Sequence, residues 1–324
     1  IAPYIKCTKA HGDENYFSGM ADSCNTYFQE AGRRAGKENI IKVAKDFGLG
    51  QKTGIDLPGE TTGLVPTPEW KKEINSILIN REYDSLREEL SEKYTRMLAN
   101  AQSEDEKESI KKAEKNERAK LEAQYRIRYD FDTVWQAYDT FNMSIGQGDN
   151  QYTVIHLANY AATIANGGYL MEPHVVKSIT SPNKKIIKEI KPKLIHNTSV
   201  SAETLALTRQ AMMAVTQPGG TASFLFTSFP ADIHVAAKTG TAETGRAGDR
   251  TDSEFHGTFI AFAPADNPQI AFAGVIEYGQ HGSESAGYVA KTVFEQYFGL
   301  ADHYAAIIAA EAEQKADETT PPTR

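Results

Sequence analysis

The chain has 324 residues, enough for one large domain or two ordinary ones, and its 40% hydrophobic share is enough to build a core. A net charge of −8 argues against a nucleic-acid binder, which needs clustered Lys and Arg to meet phosphates. The two cysteines, Cys7 and Cys24, form neither a disulfide framework nor a metal-ligand spacing, and no run of about 18 apolar residues reads as a membrane-spanning helix.

The chain opens at Ile1-Ala2-Pro3-Tyr4 without an initiator methionine and reads as a trimmed piece, so missing targeting signals carry no weight on location. Up to Pro68, apolar helical segments alternate with Gly and Pro punctuation. The spacing from Asn39 to Phe47 predicts a helix that stops at Gly48. Gly54, Pro58, Gly59, Gly63, Pro66 and Pro68 then predict a turn-rich connection.

From Glu69 to Asp130 the character changes. Ile79, Tyr83, Leu86, Leu90, Tyr94 and Met97 fall at steps of three or four, one stripe of an amphipathic helix. Ser103 with Glu106 has the capping-box pattern that starts a second helix, whose apolar face is thinner: Ile110, Ala113, Leu121, Tyr125. The pair reads as a charged helical hairpin, either a solvated insertion or an arm that docks a partner.

Ordinary globular character returns at Phe131. Thr153 to Asn166 predicts an apolar helix ended by Gly167-Gly168. Val175 to Ile179 and Ile186 to Ile190 flank Pro182-Asn183, a strand–turn–strand signal, and the basic stretch from Lys184 to Lys193 reads as a surface hairpin. Ser201 to Val215 is helical. Strands follow at Ile233 to Glu243, Phe255 to Ala263 and Gln269 to Glu277, the last two joined by a turn at Pro264 to Pro268. A final helix runs from Ser285 to Phe298, and the polar end of the chain predicts a disordered tail. The expected organisation is 1–68, an insertion at 69–130, a second globular part at 131–300, and a tail at 301–324, with no internal repeat.

Two short motifs carry chemistry. In Lys238-Thr239-Gly240-Thr241, the ammonium offers positive charge for proton transfer, and the two hydroxyls can hydrogen-bond a carboxylate. Gly240 removes a side chain where a substrate backbone must come close. In Ser23-Cys24-Asn25, a hydroxyl able to relay a proton stands two positions from an amide able to bind both ends of a peptide group. Each match alone arises easily by chance. Read singly, the first is an edge strand and the second a helix cap.

Together they are specific. S-x-N followed far downstream by K-T-G resembles the serine acyl-transferases that include penicillin-binding proteins and β-lactamases. The resemblance extends to Phe47-Gly48-Leu49-Gly50-Gln51-Lys52-Thr53-Gly54-Ile55-Asp56-Leu57-Pro58-Gly59-Glu60, which looks like the block after S-x-N in class B penicillin-binding proteins. Asn142 to Gly148 resembles their S-x-G-Q-G segment, Ala165 to Gly168 the helix end beyond it, and His256 to Pro264 the strand after K-T-G. Glu69-Trp70-Lys71, and Trp135 followed by Asp139-Thr140, resemble the elongation, rod-shape branch. Thr241-Ala242-Glu243 favours class B over the bifunctional class A enzymes. The likeness covers nearly everything except Glu69–Asp130 and the tail.

The resemblance implies an α+β fold, an antiparallel sheet flanked by helices, incomplete at its N-terminus. It implies a D,D-transpeptidase that acylates a serine with the D-Ala-D-Ala end of a peptidoglycan stem peptide and binds β-lactams, without a cofactor or metal. By carry-over, Ser23 passes a proton to the leaving group, Asn25 bonds the substrate backbone, and Lys238 holds Ser23. Thr239 and Thr241 bind the terminal carboxylate beside Gly240, and the Thr241 N–H forms half of an oxyanion hole. Cys24 reads as a small packed side chain and His256 as structural. The implied partners are the membrane proteins of the wall-synthesis complex, with its glycosyltransferase, at the extracytoplasmic face of the bacterial cell membrane. The implied anchor is an N-terminal segment that this chain lacks.

One departure stands out. The family's nucleophile lies in an S-x-x-K upstream of S-x-N, where one helical turn lets the lysine deprotonate the serine. None of the 22 residues before Ser23 forms it. Ser109-Ile110-Lys111-Lys112 lies in the charged hairpin and Ser181-Pro182-Asn183-Lys184 in a turn, both after S-x-N, and neither has an apolar helix to bury it. The chain is therefore expected to begin after its nucleophile and to be inactive alone. Two alternatives stay open: a catalytically inactive scaffold of the wall-synthesis complex, and a serine β-lactamase or its sensor relative.

Overall fold

The computed structural model describes residues 7, 10–243 and 255–307. They fall into two compact units, a body made of residues up to Val65 and from Thr140 onward, and Pro66–Asp139 between them in sequence. Among the described residues, no helix is long and apolar enough to cross a membrane.

The body begins with α1 (Tyr16–Ala21), a six-residue helix that has no periodicity to betray it. A reciprocal capping box starts it: Asn15 Oδ1 accepts from the N–H of Phe17 and Ser18, and Ser18 Oγ accepts from the Asn15 N–H at 3.0 Å. After α2 (Asn25–Ala35) and α3 (Lys37–Asp46), the Gly-rich block is held by carboxylates that collect backbone donors. Glu60 accepts from the Thr53 N–H at 2.6 Å and from the Gly54 N–H at 3.2 Å, and Asp56 accepts from the N–H groups of Val175 and Val176. His156, 1% exposed, ties the same block inward through Nε2 to Gln51 O at 2.7 Å.

The second unit is a helical hairpin, α4 (Pro68–Asn100) and α5 (Glu104–Asp132). At 33 residues α4 is about 50 Å long. Thr67 caps it by accepting from the Trp70 N–H, and Pro68 stands where a missing donor does no harm. Ile79, Tyr83, Leu90 and Tyr94 are buried, whereas Met97, at the end of the same stripe, is 41% exposed. Ser103 caps α5 through the Glu106 N–H, but Glu106 reaches back to the Gln102 N–H instead of that of Ser103, so the box is only half made. Ion pairs bridge the helices, Arg87 to Glu122 at 2.7 Å and Lys93 to Glu117 at 2.7 Å.

Chain order continues with α6 (Ala137–Ser144), α7 (Val154–Ala165), β1 (Tyr169–Glu172), β2 (Ser178–Thr180), β3 (Ile186–Glu189) and β4 (Lys193–Asn197). The basic stretch is thus shared out. Residues 184–189 close the exposed β2–β3 hairpin, while Lys193 opens β4, which pairs with β1 and sets Lys193 Nζ 2.5 Å from Glu172. The elements α8 (Ala202–Ala214), β5 (Ala236–Glu243), β6 (Phe255–Ala263), β7 (Ile270–Ile276) and α9 (Ala286–Phe298) complete the body. The expected strand from Ile233 starts only at Ala236, because Ile233 closes a turn by donating to Pro230 O. Residues 301–307 are helical, and the rest of the expected tail lies outside the described residues.

Strands β5, β6 and β7 form an antiparallel sheet in that order, and period-2 alternation splits β6 between two cores. Phe259, Ala261 and Ala263 pack with Val235, Ala237, Leu225 and α9, with Phe294 at the centre. Phe262 faces the other way, onto Ala236, Ile164, Leu205 and Met212 of α7 and α8. Burying a phenylalanine of this kind contributes about 2–3 kcal/mol. Sandwiched between two cores, β6 is the rigid rail against which β5 is registered: Lys238 opposite Ile260, Thr239 opposite Phe259, Gly240 opposite Thr258 and Thr241 opposite Gly257.

Candidate active site

Ser23 occupies the corner between α1 and α2, with φ of +54°. Its N–H donates to Met20 O, and the next N–H, that of Cys24, donates to Gly19 O. This left-handed turn aims the hydroxyl at β5. Lys238 Nζ donates to Ser23 Oγ at 2.7 Å and to Thr239 O at 2.9 Å, joining residues 215 apart in sequence. Lys238 is half-buried, and both acceptors are neutral. Desolvation of the ammonium pushes its pKa down to about 8.

Among the described residues β5 is an edge strand. Thr239 O takes the Lys238 ammonium, and Thr241 O takes Gln147 Nε2 at 3.0 Å. Both carbonyls therefore turn away from β6, and in an antiparallel strand the N–H of the same residue turns with them. The N–H groups of Thr239 and Thr241 thus face the open edge. Gly240, between them, leaves no room for a side chain: a Cβ would sit 2.0 Å from Thr258 Oγ1.

The hydroxyls have partners that the sequence reading did not single out. Thr239 Oγ1 lies 3.0 Å from Thr221 Oγ1, and the Thr221 N–H donates to Ala21 O, next to the Ser23 corner. Thr241 Oγ1 lies 3.5 Å from His281 Nδ1. A threonine after Gly219-Gly220 has no pattern to mark it. Gln147 had one, since it stands in the S-x-G-Q-G segment. Asn25 opens α2, and His256 accepts from the Tyr278 N–H at 3.2 Å. Ser109 lies exposed on α5, and Ser181 lies in the β2–β3 turn, where its Oγ bonds Asn183 and Lys185 O.

Cys24 is 2% exposed, as a packed side chain would be, but it does not stand alone. Cys7 Sγ and Cys24 Sγ are free thiols 3.6 Å apart, and with a ring nitrogen of His11 they make three donors within 4.8 Å of one another. Both His11 nitrogens are buried without a hydrogen-bond partner. Two thiolates on one tetrahedral zinc stand about 3.8 Å apart, so Cys7, His11 and Cys24 fit a soft divalent ion such as zinc. Burial works against the Cys7 thiolate, yet hydrogen bonds from the Thr26 backbone and side chain and from Cys24 outweigh it and hold the thiol below its ordinary value. Sequence steps of four and thirteen match no ligand motif. The cluster forms where Cys7 and His11 meet Cys24 at the start of α2, with the Thr26 N–H donating to Cys7 Sγ at 3.5 Å, and an ion there would tie Cys7 and His11 to the Ser23 corner.

Comparisons with known proteins identify the family. Residues 4–298 match the penicillin binding protein transpeptidase domain. The peptidoglycan D,D-transpeptidase MrdA of Acinetobacter baumannii is 29% identical over 296 residues, which are 89% of this chain and 35% of that protein. Stage V sporulation protein D of Bacillus subtilis is 28% identical over 285 residues, 85% of this chain and 33% of that protein. The chain spans about a third of the length of these curated relatives. Pseudomonas aeruginosa PBP2, solved in complex with WCK 5153, superposes with a TM-score of 0.58 at 25% identity, over 91% of this chain and 54% of that one. Helicobacter pylori PBP2, solved in complex with MreC, shares the fold with a TM-score of 0.58 at 24% identity, over 91% of this chain and 44% of that one.

Proposed function

Because this chain belongs to the penicillin-binding protein transpeptidase domain family, we propose that it supplies the substrate-binding and proton-relay side of a peptidoglycan D,D-transpeptidase of the elongation, rod-shape type. The observation that carries this reading is the 2.7 Å hydrogen bond from Lys238 Nζ to Ser23 Oγ. Since the ammonium donates to this oxygen, the hydroxyl's own proton is free to go elsewhere. When a serine attacks the D-Ala-D-Ala carbonyl, the departing D-alanine nitrogen needs a proton. Ser23 gives it, and Lys238 stabilises or reprotonates the oxygen left behind. A pKa near 8 suits that task near neutral pH.

A stem peptide laid along the open edge of β5 meets Lys238 on one face, and the hydroxyls of Thr239 and Thr241 on the other. Those hydroxyls take its terminal carboxylate, or that of a β-lactam. The outward Thr241 N–H takes the developing oxyanion, and Asn25 bonds the substrate backbone. The attacking serine of a Ser-x-x-Lys motif is not found ahead of Ser23 in this chain. The rod-shape assignment draws on the MrdA relatives and on the bond from Lys71 to Asp139, which joins the two segments that resemble that branch. We take the setting to be the extracytoplasmic face of the membrane, among wall-synthesis proteins of the kind represented by MreC with the Helicobacter relative.

The test is covalent labelling by a fluorescent penicillin. The full-length protein should label, its Ser23→Ala form should label at least about 10²-fold more slowly, and the present chain alone should stay unlabelled. Equal labelling of the Ser23→Ala and unchanged proteins would overturn the relay.

A further inference from the structure

Residues 278–285, between β7 and α9, reach the candidate site from beyond β6. Tyr278 and Gln280 have φ of +58° and +59°, a left-handed backbone that side-chain-bearing residues rarely adopt. Hydrogen bonds hold it there: the Tyr278 N–H donates to His256 Nδ1 and the Gln280 N–H to Phe255 O, each at 3.2 Å. Gly282 then lies so close on the strands that a Cβ would sit 1.9 Å from Thr258 O and 2.6 Å from Gly240 O. Ser285 Oγ donates back to His281 O at 2.9 Å. His281 is therefore pinned on both sides along the backbone, while its ring stays exposed, with Nδ1 3.5 Å from Thr241 Oγ1.

The chemistry around Thr241 leaves a role for such a ring. Thr239 and Thr241 offer a carboxylate only neutral hydroxyls. The Lys238 ammonium is already engaged with Ser23 Oγ and Thr239 O. A further N–H donor on a rigid loop at the outer end of β5 strengthens carboxylate binding without having to be ordered first.

We propose that His281 is a specificity-determining residue, whose imidazole, set against Thr241, recognises the terminal carboxylate of the D-alanyl substrate and the matching carboxylate of a β-lactam. This rests on the reading that Thr241 receives that carboxylate. A ring that merely packed the loop would affect every acylating agent alike. One that reads the carboxylate affects only those that carry it.

The experiment compares acylation of the full-length protein by benzylpenicillin and by its methyl ester, as second-order rate constants. His281→Leu should slow benzylpenicillin by about 10-fold and leave the ester rate unchanged. His281→Asn, which keeps a donor near the position of Nδ1, should recover most of the loss. Parallel slowing of both compounds, or no change in either, overturns the proposal. Thr241→Val separates the two readings. If it loses the preference for the free acid while His281→Leu keeps it, the Thr241 reading stands and the His281 proposal fails. If Thr241→Val keeps the preference, the Thr241 reading itself fails, and the His281 proposal, which rests on it, falls with it.

Discussion

A lysine in each unit is set apart by its partners, and the two sets of partners are opposite in kind. Lys71 in the hairpin unit is 5% exposed, with Nζ 2.5 Å from Asp139 Oδ2 and 3.3 Å from Tyr138 OH. Burial opposes its charge, but the Asp139 carboxylate outweighs burial and holds the pKa above its ordinary value. Lys238 in the body has a hydroxyl and a carbonyl, and burial pushes it down to about 8. A covered lysine with a carboxylate is locked as a cation and serves structure. Given only neutral acceptors, its proton becomes available near physiological pH.

The comparison is most exposed to failure at Lys238. Its replacement by alanine in the full-length protein should slow penicillin acylation by about 10³-fold, read from labelling kinetics. A loss below about 10-fold would put Lys238 in the same class as Lys71. Next in size, Lys71→Met leaves a carboxylate 12% exposed without its cation and should cost about 3 kcal/mol in urea unfolding of the full-length protein. Adding Asp139→Leu should restore most of that, and a double variant no better than the single would show that the pair acts otherwise.

The third test is pH. Acylation that needs protonated Lys238 should hold below about pH 8 and decline through a midpoint near 8. Stability has the opposite sign there. Between about 8 and 10.5 the folded state holds fewer protons at Lys238 than the unfolded chain does, so this lysine makes stability rise with pH. Lys71, with its pKa raised above 10.5, contributes stability that is full below that value and is lost only as pH climbs through its folded pKa. An acylation profile flat to pH 10 would contradict the Lys238 half of the contrast. The smallest effect belongs to Lys93, whose pairing with Glu117 is solvated, with side chains 48% and 43% exposed. Lys93→Gln should leave the urea midpoint where it was.

What could be read from residues alone follows from how local the causes are. The strand β6 and the helix α7 were legible to within a residue, because alternation and a Thr cap are written in contiguous sequence. So was the pairing of Ser23 with Lys238, through two motifs that mean little singly. The six residues of α1 are too few for a period, and only its capping box explains it. Thr221, His281 and the Cys7–His11–Cys24 cluster escaped because each depends on a chain reversal that brings remote segments together, and no spacing encodes that. The capping box at Ser103 misled in a small way: the right residues were present, but Glu106 found a donor one position earlier.

The φ of +54° at Ser23 has a consequence for how this protein would change under selection. An L-residue in that region carries about 1 kcal/mol of strain that glycine does not. Ser23→Gly should relax the corner between the two helices and raise the melting temperature, while deleting the hydroxyl to which Lys238 donates. Thermal robustness and the proposed relay therefore pull this one position in opposite directions. A lineage of variants screened only for heat tolerance should lose the Ser23 hydroxyl early, and the survivors would be well folded and easy to purify, yet without the proposed relay.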